Sequence, residues 1–443
     1  MNKRSDKNRL SPSFIHSFNS ANSKTLYSED NFSKTVFENG LTLLSQNMPN
    51  LRSITIGVWV LVGGRHETAF NMGICHFIEH SVFKGTTKRN ALQIAKALEN
   101  VGGNMNAFTS KEQTCFYATI LSEDLPLAVD VLSDLVQNAV FDEKEIRREK
   151  QVILEEIKDT EDTPEECIQD HFYGQLFKNH SLGYSILGSR TTVSSFTQDQ
   201  LVAFYNKYYV PSNVVISIAG NFNERELTKL VRTKFSFEQR RINRSYWPSK
   251  FKIFTNGTGV GKMEIINKNI SQAHVCIGNP INISYLNNKK FDFLALNMIL
   301  GGGMSSRLFQ RVREKYGLAY SIYSFADFMY DTGVFGIYLA TDKKNLEKSI
   351  AIVKSECNKL LTNPIKIHEL KMAKAQIKAN LLFGLESTST RMIRLAKNEI
   401  YLKKKLNISD ITDYIDQLSL ESIQKAASHL AHSAKKMQVS VLY

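Results

Sequence analysis

The spacing of apolar and polar positions in the first half of the chain predicts strands and helices in mixed order. Asn39-Gly40, between two apolar stretches, predicts a hairpin turn. Two further strands are predicted, a buried strand at 53–67 and one long alternating strand at 104–121. Apolar residues at helical spacing predict helices within residues 71–86, 91–103, 125–141 and 142–162. A helix, a strand and another helix are expected between residues 191 and 235.

The second half repeats this order after residues 238–258, a basic and polar segment that predicts a linker. A strand at 272–281 precedes a helix at 291–300, a glycine turn, another helix and paired strands. Long helices are expected from there to the C-terminus, with a break at Gly384. The pattern therefore predicts an α+β fold of two similar domains, at residues 33–237 and 259–443, behind a basic extension of residues 1–32.

The composition is that of a globular protein and reduces the number of function classes to consider. A length of 443 residues is too great for one core, and 42% hydrophobic with 22% charged residues is ordinary. The net charge of +13 is spread without a long basic run or a nucleic-acid motif, which excludes a nucleic-acid partner. No apolar run approaches the roughly 18 residues that a membrane span needs. Five dispersed cysteines argue for a reducing compartment and against a disulfide framework.

The N-terminal extension leaves two interpretations open. Residues 1–28 contain five basic residues against one acid, with many serines and asparagines. This segment lacks the continuous apolar stretch of a secretory signal and resembles a weak organellar transit peptide. A plain disordered tail explains the same composition equally well.

The pentapeptide His76-Phe77-Ile78-Glu79-His80 is the main chemical signal in the chain. On a helix, positions three and four apart share a face, so His76, Glu79 and His80 point the same way. Two imidazoles at this spacing can bind Zn²⁺, and the carboxylate beside them can take a proton from water. The alternative is a surface helix that happens to carry these three residues.

A catalytic zinc site usually has three protein ligands, so another inward carboxylate is needed. The helix that contains EKQVILEEIKD supplies Glu149 and Glu156, which are seven residues apart and therefore on one face. Glu156 follows His80 by 76 residues.

These motifs together resemble the M16 (pitrilysin) metallopeptidase family, especially the β-subunit of mitochondrial processing peptidase and its bacterial relatives. The segments HFIEHSVFKGT, GGNMNAFTSKEQT, EKQVILEEI, LGYSILG and GGGMSSRLFQRVREKYGLAYS all fit in the same order. The resemblance covers nearly the whole chain from about residue 34. It implies that each domain is a mostly antiparallel sheet flanked by helices, and that the two domains together form half of a closed shell.

The resemblance also implies roles for single residues of the catalytic centre. His76, His80 and Glu156 match the ligands of one zinc ion per chain, and Glu79 matches the general base. Glu149 matches an acidic residue that supports the site from behind the ligands. In the second half, Arg313 and Tyr320 match a pair that contacts the substrate carbonyl or the oxyanion. A helix-surface arginine and a core tyrosine are the plain alternative for that pair.

Further matches concern the peptide substrate. Asn106, Ala107 and Phe108 match an edge strand that pairs with an extended substrate, and simple sheet packing is the alternative. Phe83 matches a pocket residue beyond the scissile bond, although it could equally belong to the core. Glu166 and Asp170 match the acids that bind an arginine two residues before the cleavage site. An exposed acidic helix face explains the same two residues without a substrate.

The resemblance predicts a zinc endopeptidase that removes basic N-terminal presequences. Because family members enclose substrate with four such domains, a dimer is expected, with a non-catalytic α-type subunit or with itself. A broader peptide-degrading peptidase and a structural core subunit of a bc1 complex are the alternatives. The glycine-rich loop of the α-type subunit is absent, and Gly301-Gly302-Gly303 lacks a P-loop lysine. The expected compartment is mitochondrial or a related organelle, with the bacterial cytoplasm as the alternative.

Overall fold

The computed structural model describes residues 23–29, 31–237 and 261–443 of the chain. The predicted linker at 238–258 lies outside the described residues, as do residues 1–22 of the predicted extension. Residues 23–29 of that extension form a strand at the edge of the first sheet. The exact domain boundaries therefore stay predictions.

The first domain is built on a seven-stranded sheet. Its strands are β1 (Ser23–Glu29), β2 (Phe32–Phe37), β3 (Thr42–Asn47), β4 (Ser53–Val60), β5 (Asn104–Thr109), β6 (Thr114–Leu121) and β7 (Val214–Gly220). They lie in the order β1-β2-β3-β7-β4-β6-β5, and every neighbouring pair is antiparallel except β3 with β7. The hairpin predicted at Asn39-Gly40 joins β2 to β3, and Gly40 has the positive φ of 89° that this turn needs.

The helices of the first domain, with the exception of α5 (Pro164–Leu176), pack on one face of this sheet around the first core. Those on this face are α1 (Ile74–Val82), α2 (Ala91–Glu99), α3 (Leu125–Asn138), α4 (Glu143–Asp162), α6 (Arg190–Ser195), α7 (Gln198–Tyr208) and α8 (Glu224–Lys234). Alternate residues of β4, such as Ile54, Ile56 and Val58, pack in this core against Phe77 and Ile78 of α1. The helix with the HxxEH motif is therefore anchored by its apolar face.

The second domain is built on a five-stranded sheet. Its strands are β8 (Met263–Ile266), β9 (Gln272–Ile281), β10 (Ala319–Phe328), β11 (Gly333–Asp342) and β12 (Gln438–Leu442). Its helices are α9 (Lys290–Gly301), α10 (Leu346–Lys359), α11 (Ile367–Gly384), α12 (Thr388–Lys397), α13 (Ile408–Gln417) and α14 (Leu420–Ser433). Two π-helical segments lie at Phe309–Lys315 and Asn398–Leu402. The predicted break at Gly384 is confirmed, because α11 ends there.

The two sheets share one topology. The order β3-β7-β4-β6-β5 in the first matches β8-β12-β9-β11-β10 in the second, strand for strand along the chain. In both, the first pair is parallel and the following pairs are antiparallel. This repeat confirms the predicted α+β fold of two similar, mostly antiparallel domains.

Two predictions about strands were wrong. Residues 104–121 form the hairpin β5–β6 rather than one long strand, because the polar run Ser110–Gln113 makes a turn closed by a 2.7 Å bond from the Ser110 amide to the Gln113 carbonyl. The chain also ends in a strand rather than a helix. The alternating QVSVL segment of β12 is buried between β9 and β8, where its long-range pairing could not be seen locally.

Each domain covers the second face of the other domain's sheet with one helix. Met392 and Ala396 of α12 pack on Trp59 and Val215 of the first sheet. Conversely, α5 of the first domain packs on the second sheet, where Ile168, Phe172 and Leu176 contact a cluster that includes Cys276, Tyr338 and Leu442. Both sheets thus have helices on both faces, and the two domains form one packed body. In the part of the chain that the structure describes, no helix is both long and apolar enough to cross a membrane.

Candidate metal centre

Helix α1 carries three of the predicted site residues on its inner face. Its N-terminus is fixed by the buried carboxylate of Glu67, which accepts hydrogen bonds from the amides of Gly73 (2.8 Å) and Cys75 (2.9 Å). His76 and Glu79 are buried, whereas His80 is partly exposed at the end of the helix. The helical spacing inferred from the sequence is therefore present.

Helix α4 brings Glu156 to the two histidines. Its carboxylate oxygens lie 3.6 Å from His76 Nε2 and 3.6 Å from His80 Nε2. One donor atom from each of these three residues lies within 4.8 Å of the others. Donors around a tetrahedral zinc ion bound at about 2.1 Å are about 3.4 Å apart. The three side chains therefore fit a zinc ion, and their role as ligands stays a prediction.

The protonation of His76 suits a metal ligand. Burial, together with a smaller effect of the neighbouring His80, lowers the pKa of His76 to about 3. Its imidazole is therefore neutral at pH 7, which is the form that binds a metal ion. His76 Nδ1 is buried and has no hydrogen-bond partner among the residues that the structure describes.

Glu149 lies behind His80, and its supporting role stays a prediction. Its carboxylate lies 3.2 Å from His80 Nδ1 and 2.8 Å from the Lys84 ammonium. Burial alone would raise the pKa of Glu149, but the contacts with His80 and Lys84 bring it below its ordinary value. An ionised Glu149 accepts a hydrogen bond from Nδ1–H of His80, which leaves Nε2 unprotonated and facing Glu156.

Glu79 lies beside the two histidines on α1 and is buried. Burial raises the pKa of Glu79, which favours its taking up a proton, while Thr109 and His80 partly offset this effect. Thr109 Oγ1 donates a 2.5 Å hydrogen bond to Glu79 Oε2. Thr109 was not predicted as a site residue, although it directly follows the predicted Asn106–Phe108 segment.

The predicted substrate strand lies at the free edge of the first sheet. Asn106, Ala107 and Phe108 belong to β5, which is the last strand of the described sheet and pairs with β6 on one side only. Phe108 packs against Trp59 with ring centroids 5.6 Å apart, and Asn106 is exposed. Phe83 ends α1 and packs on core Phe116, with centroids 6.1 Å apart. The edge can accept an added strand, whereas Phe83 is shown only in a packing role.

The structure places the two predicted arginine-binding acids one helical turn apart on α5. Asp170 lines a cavity of about 370 Å³ that also contains Glu161 and Glu264. Glu166 is exposed and does not line this cavity. The charge of Asp170 also acts on the buried Lys111 ammonium. The structure therefore places Asp170, which is half-buried, but not Glu166, beside a cavity that is lined by both acidic and basic side chains.

Arg313 and Tyr320 lie together in the second domain. The Arg313 guanidinium lies 5.2 Å from the centre of the Tyr320 ring and 4.7 Å from that of Phe309. Tyr320 is 78% exposed at the start of β10. The described contacts of this pair are with each other and their neighbours, and not with the histidines or Glu156.

Two family descriptions match the chain. "Insulinase (Peptidase family M16)" matches residues 42–190, and "Peptidase M16 inactive domain" matches residues 195–377. An uncharacterized zinc protease of Bacillus subtilis is 38% identical over 399 residues, covering 89% of this chain and 94% of the relative. One from Rickettsia felis is 36% identical over 406 residues, covering 91% and 96%.

Solved structures show the same fold at lower identity. A protease from Helicobacter pylori superposes with a TM-score of 0.85 at 21% identity, over 93% of this chain and 99% of that one. A chain of the complex III2 structure from Candida albicans gives 0.77 at 17% identity, over 92% and 95%. With the high coverage of the bacterial relatives, these matches establish that the chain belongs to peptidase family M16.

Proposed function

We propose that this chain is a zinc-dependent endopeptidase. The observation that carries the proposal is the convergence of His76, His80 and Glu156 within 4.8 Å beside the buried Glu79. Two bacterial relatives that match nearly end to end carry the name zinc protease. One zinc ion per chain is expected, since the described residues offer one such cluster.

Residues of both domains contribute to catalysis. His76, His80 and Glu156 hold the zinc, which acidifies a water molecule and polarises a carbonyl when bound. Glu79 takes the proton of the attacking water and later delivers it to the leaving amine. Its raised pKa, caused by burial, brings it closer to the working pH. Substrate lies along β5 as an added strand, and Arg313 and Tyr320 donate to its developing oxyanion.

Peptide cleavage by matched variants tests the reaction. Glu79→Gln should lower kcat by a factor of about 10² to 10⁴ while zinc stays bound, because only the proton carrier is lost. Glu156→Gln should lose both zinc and cleavage. Glu155→Gln is the control, since this neighbouring side chain on α4 is 74% exposed. Full activity of both Glu79→Gln and Glu156→Gln would refute the proposal.

The finer proposal is removal of basic presequences, with a cut two residues after an arginine. The half-buried position of Asp170 beside a cavity that Glu161 and Glu264 also line supports it, since a guanidinium binds well between carboxylates. Asp170→Asn should weaken cleavage of an arginine peptide at least tenfold, relative to the same peptide with norleucine in place of arginine. Glu166→Gln should have a smaller effect, because Glu166 is exposed. Equal effects on both peptides would favour a broadly degrading peptidase.

A structural subunit is the alternative from another class. The likeness to a chain of complex III2, at 17% identity, extends to the fold alone. The presence of all three donor side chains and of Glu79 counts against a purely structural role. If the purified chain contains no zinc and cleaves no peptide, this alternative would be favoured.

The proposal includes a dimeric state and a bacterial origin. A two-domain chain supplies half of a four-domain shell, so dimerisation with an α-type subunit or with a second copy is expected. The zinc proteases of Bacillus subtilis and Rickettsia felis that match nearly end to end are bacterial, which favours the bacterial alternative over a mitochondrial location. Light scattering of the purified chain, alone and during cleavage, tests self-association.

A further inference from the structure

The turn that joins β5 to β6 is held by the segment just before the motif helix. Ser110 and Lys111 of the turn accept hydrogen bonds from the amides of Gly64 (3.2 Å) and Arg65 (2.6 Å). The approach is so close that a Cβ at Gly63 would lie 2.4 Å from the Ser110 carbonyl oxygen. Whatever fixes Arg65 therefore also fixes this turn.

A buried charge network from the second domain fixes Arg65. Its guanidinium contacts Glu112 at 2.8 Å and both carboxylate oxygens of Asp331 at 2.7 Å and 2.5 Å. The Tyr401 hydroxyl donates to Glu112 at 2.6 Å, and Gln113 donates to that hydroxyl at 2.7 Å. The Arg65 and Glu112 side chains are 1% and 3% exposed. Asp331 and Tyr401 thus bind both Arg65 and the turn from the other domain.

The contacts of the turn lead on to Glu79, the proposed proton carrier. Thr109, the last residue of β5, directly precedes the turn and donates its 2.5 Å hydrogen bond to Glu79. A shift of the turn would therefore move the hydroxyl that orients Glu79. Reacting groups are sensitive to such shifts, since a misplacement of about 1 Å can cost about a hundredfold in rate.

We infer that Asp331 is a positioning residue for catalysis, which acts through Arg65 and the 110–113 turn on the Thr109–Glu79 hydrogen bond. This inference rests on the proposed peptidase function. It gives the second domain a part in the reaction that does not require any of its residues to touch substrate. A carboxylate is needed at residue 331 because it shares the buried guanidinium with Glu112 in a bidentate geometry.

Steady-state cleavage by four variants tests the inference. Asp331→Asn should lower kcat at least about tenfold with KM and bound zinc nearly unchanged, and Thr109→Val should do the same. The double variant should lose little more than either single variant, because both changes disturb the same hydrogen bond. Lys34→Gln is the control, since it breaks a second buried ion pair between the domains, Lys34–Glu399 at 2.7 Å, away from the turn. Multiplying losses in the double variant, or an equal loss in Lys34→Gln, would overturn the inference.

Amide hydrogen exchange separates this inference from the proposed function. The amides of residues 109–113 should exchange faster in Asp331→Asn than in the parent chain or in Lys34→Gln. If the parent chain cleaves no peptide but this acceleration is seen, the peptidase proposal fails and the positioning of the turn stands. Unchanged exchange in Asp331→Asn would overturn the inference whatever the activity.

Discussion

At the scale of single residues, the centre depends on how each histidine is held. Glu149 contacts His80 Nδ1, and the contacts of Glu149 with His80 and Lys84 lower its pKa, so three side chains determine which nitrogen of His80 faces Glu156. His76 relies instead on burial, which keeps its imidazole neutral. The two histidines of the motif are thus alike in sequence but differ in their surroundings.

Glu149→Gln tests the support of His80. An amide can still lie beside Nδ1 but lacks the charge that favours a donating Nδ1–H, so zinc affinity should fall about ten- to a hundredfold. Competition with a chelator measures this affinity. Glu145→Gln, one turn earlier on α4 and paired with Arg148, should leave the affinity unchanged. A similar loss in both variants would contradict a specific role for Glu149.

The sequence alone could identify part of this centre. The spacing of His76, Glu79 and His80 determines a common helix face, so that local prediction needed no tertiary information. Glu156 lies on another helix, and its choice over other acids rested on a family resemblance. Thr109, Lys84 and Asp331 escaped prediction because a threonine, a lysine or an aspartate has no distinctive spacing. Their roles arise only from long-range packing.

At the scale of elements, the N-terminus of helix α1 is capped by a buried glutamate side chain. Glu67 is buried and binds the amides of Gly73 and Cys75, so a carboxylate lies at the positive end of α1. Burial raises the pKa of Glu67 to about 7, although the two amide hydrogen bonds partly offset this rise. The cap therefore changes charge near neutral pH.

Glu67→Gln should make the stability of the chain less dependent on pH. Because the pKa is raised on folding from 4.5, the contribution of Glu67 is full below pH 4.5 and is lost as pH rises through about 7. The loss is of the order of 3 kcal/mol in the free energy of unfolding. Urea unfolding of metal-free protein from pH 4.5 to 8 measures it, with the exposed Glu123→Gln as control. Parallel curves for Glu67→Gln and the parent chain would contradict this account.

The elements that prediction missed have a common physical cause. The β5–β6 turn contains no glycine or proline, and its four polar residues fit an exposed stretch of strand as well as a turn. The turn is fixed by Gly63, Gly64 and Arg65, which are remote in the chain. Likewise β12 is a five-residue segment that becomes a strand only between β9 and β8. The pattern of apolar and polar residues predicted those elements whose buried face can be recognised from their own residues alone.

At the scale of the whole molecule, the exchange of covering helices makes the two domains depend on each other. Met392 of α12 is fully buried against the first sheet, with its sulfur over Gly57, where a Cβ would be 2.5 Å away. Thr388 of the same helix contacts Thr55 through a 2.8 Å hydrogen bond between their hydroxyls. The sheet behind the metal centre is therefore completed by the second domain.

Met392→Ala should destabilise the first domain, although Met392 belongs to the second domain. The cavity left on the sheet should cost about 2–5 kcal/mol in the free energy of unfolding. Urea unfolding followed by circular dichroism measures this cost. Leu382→Ala, at a side chain that is 49% exposed on α11, is the control. A cost in Met392→Ala no greater than that in the control would show that the domains do not stabilise each other through α12.

The central claim, a single catalytic zinc held by His76, His80 and Glu156, is tested most directly by titrating zinc into chelator-stripped protein while peptide cleavage is followed. The account predicts no cleavage without metal and a linear rise to a plateau at one zinc per chain. The Glu156→Gln variant should need far more zinc and reach little activity. Undiminished cleavage by the stripped protein, or a plateau that Glu156→Gln reaches equally well, would contradict the account.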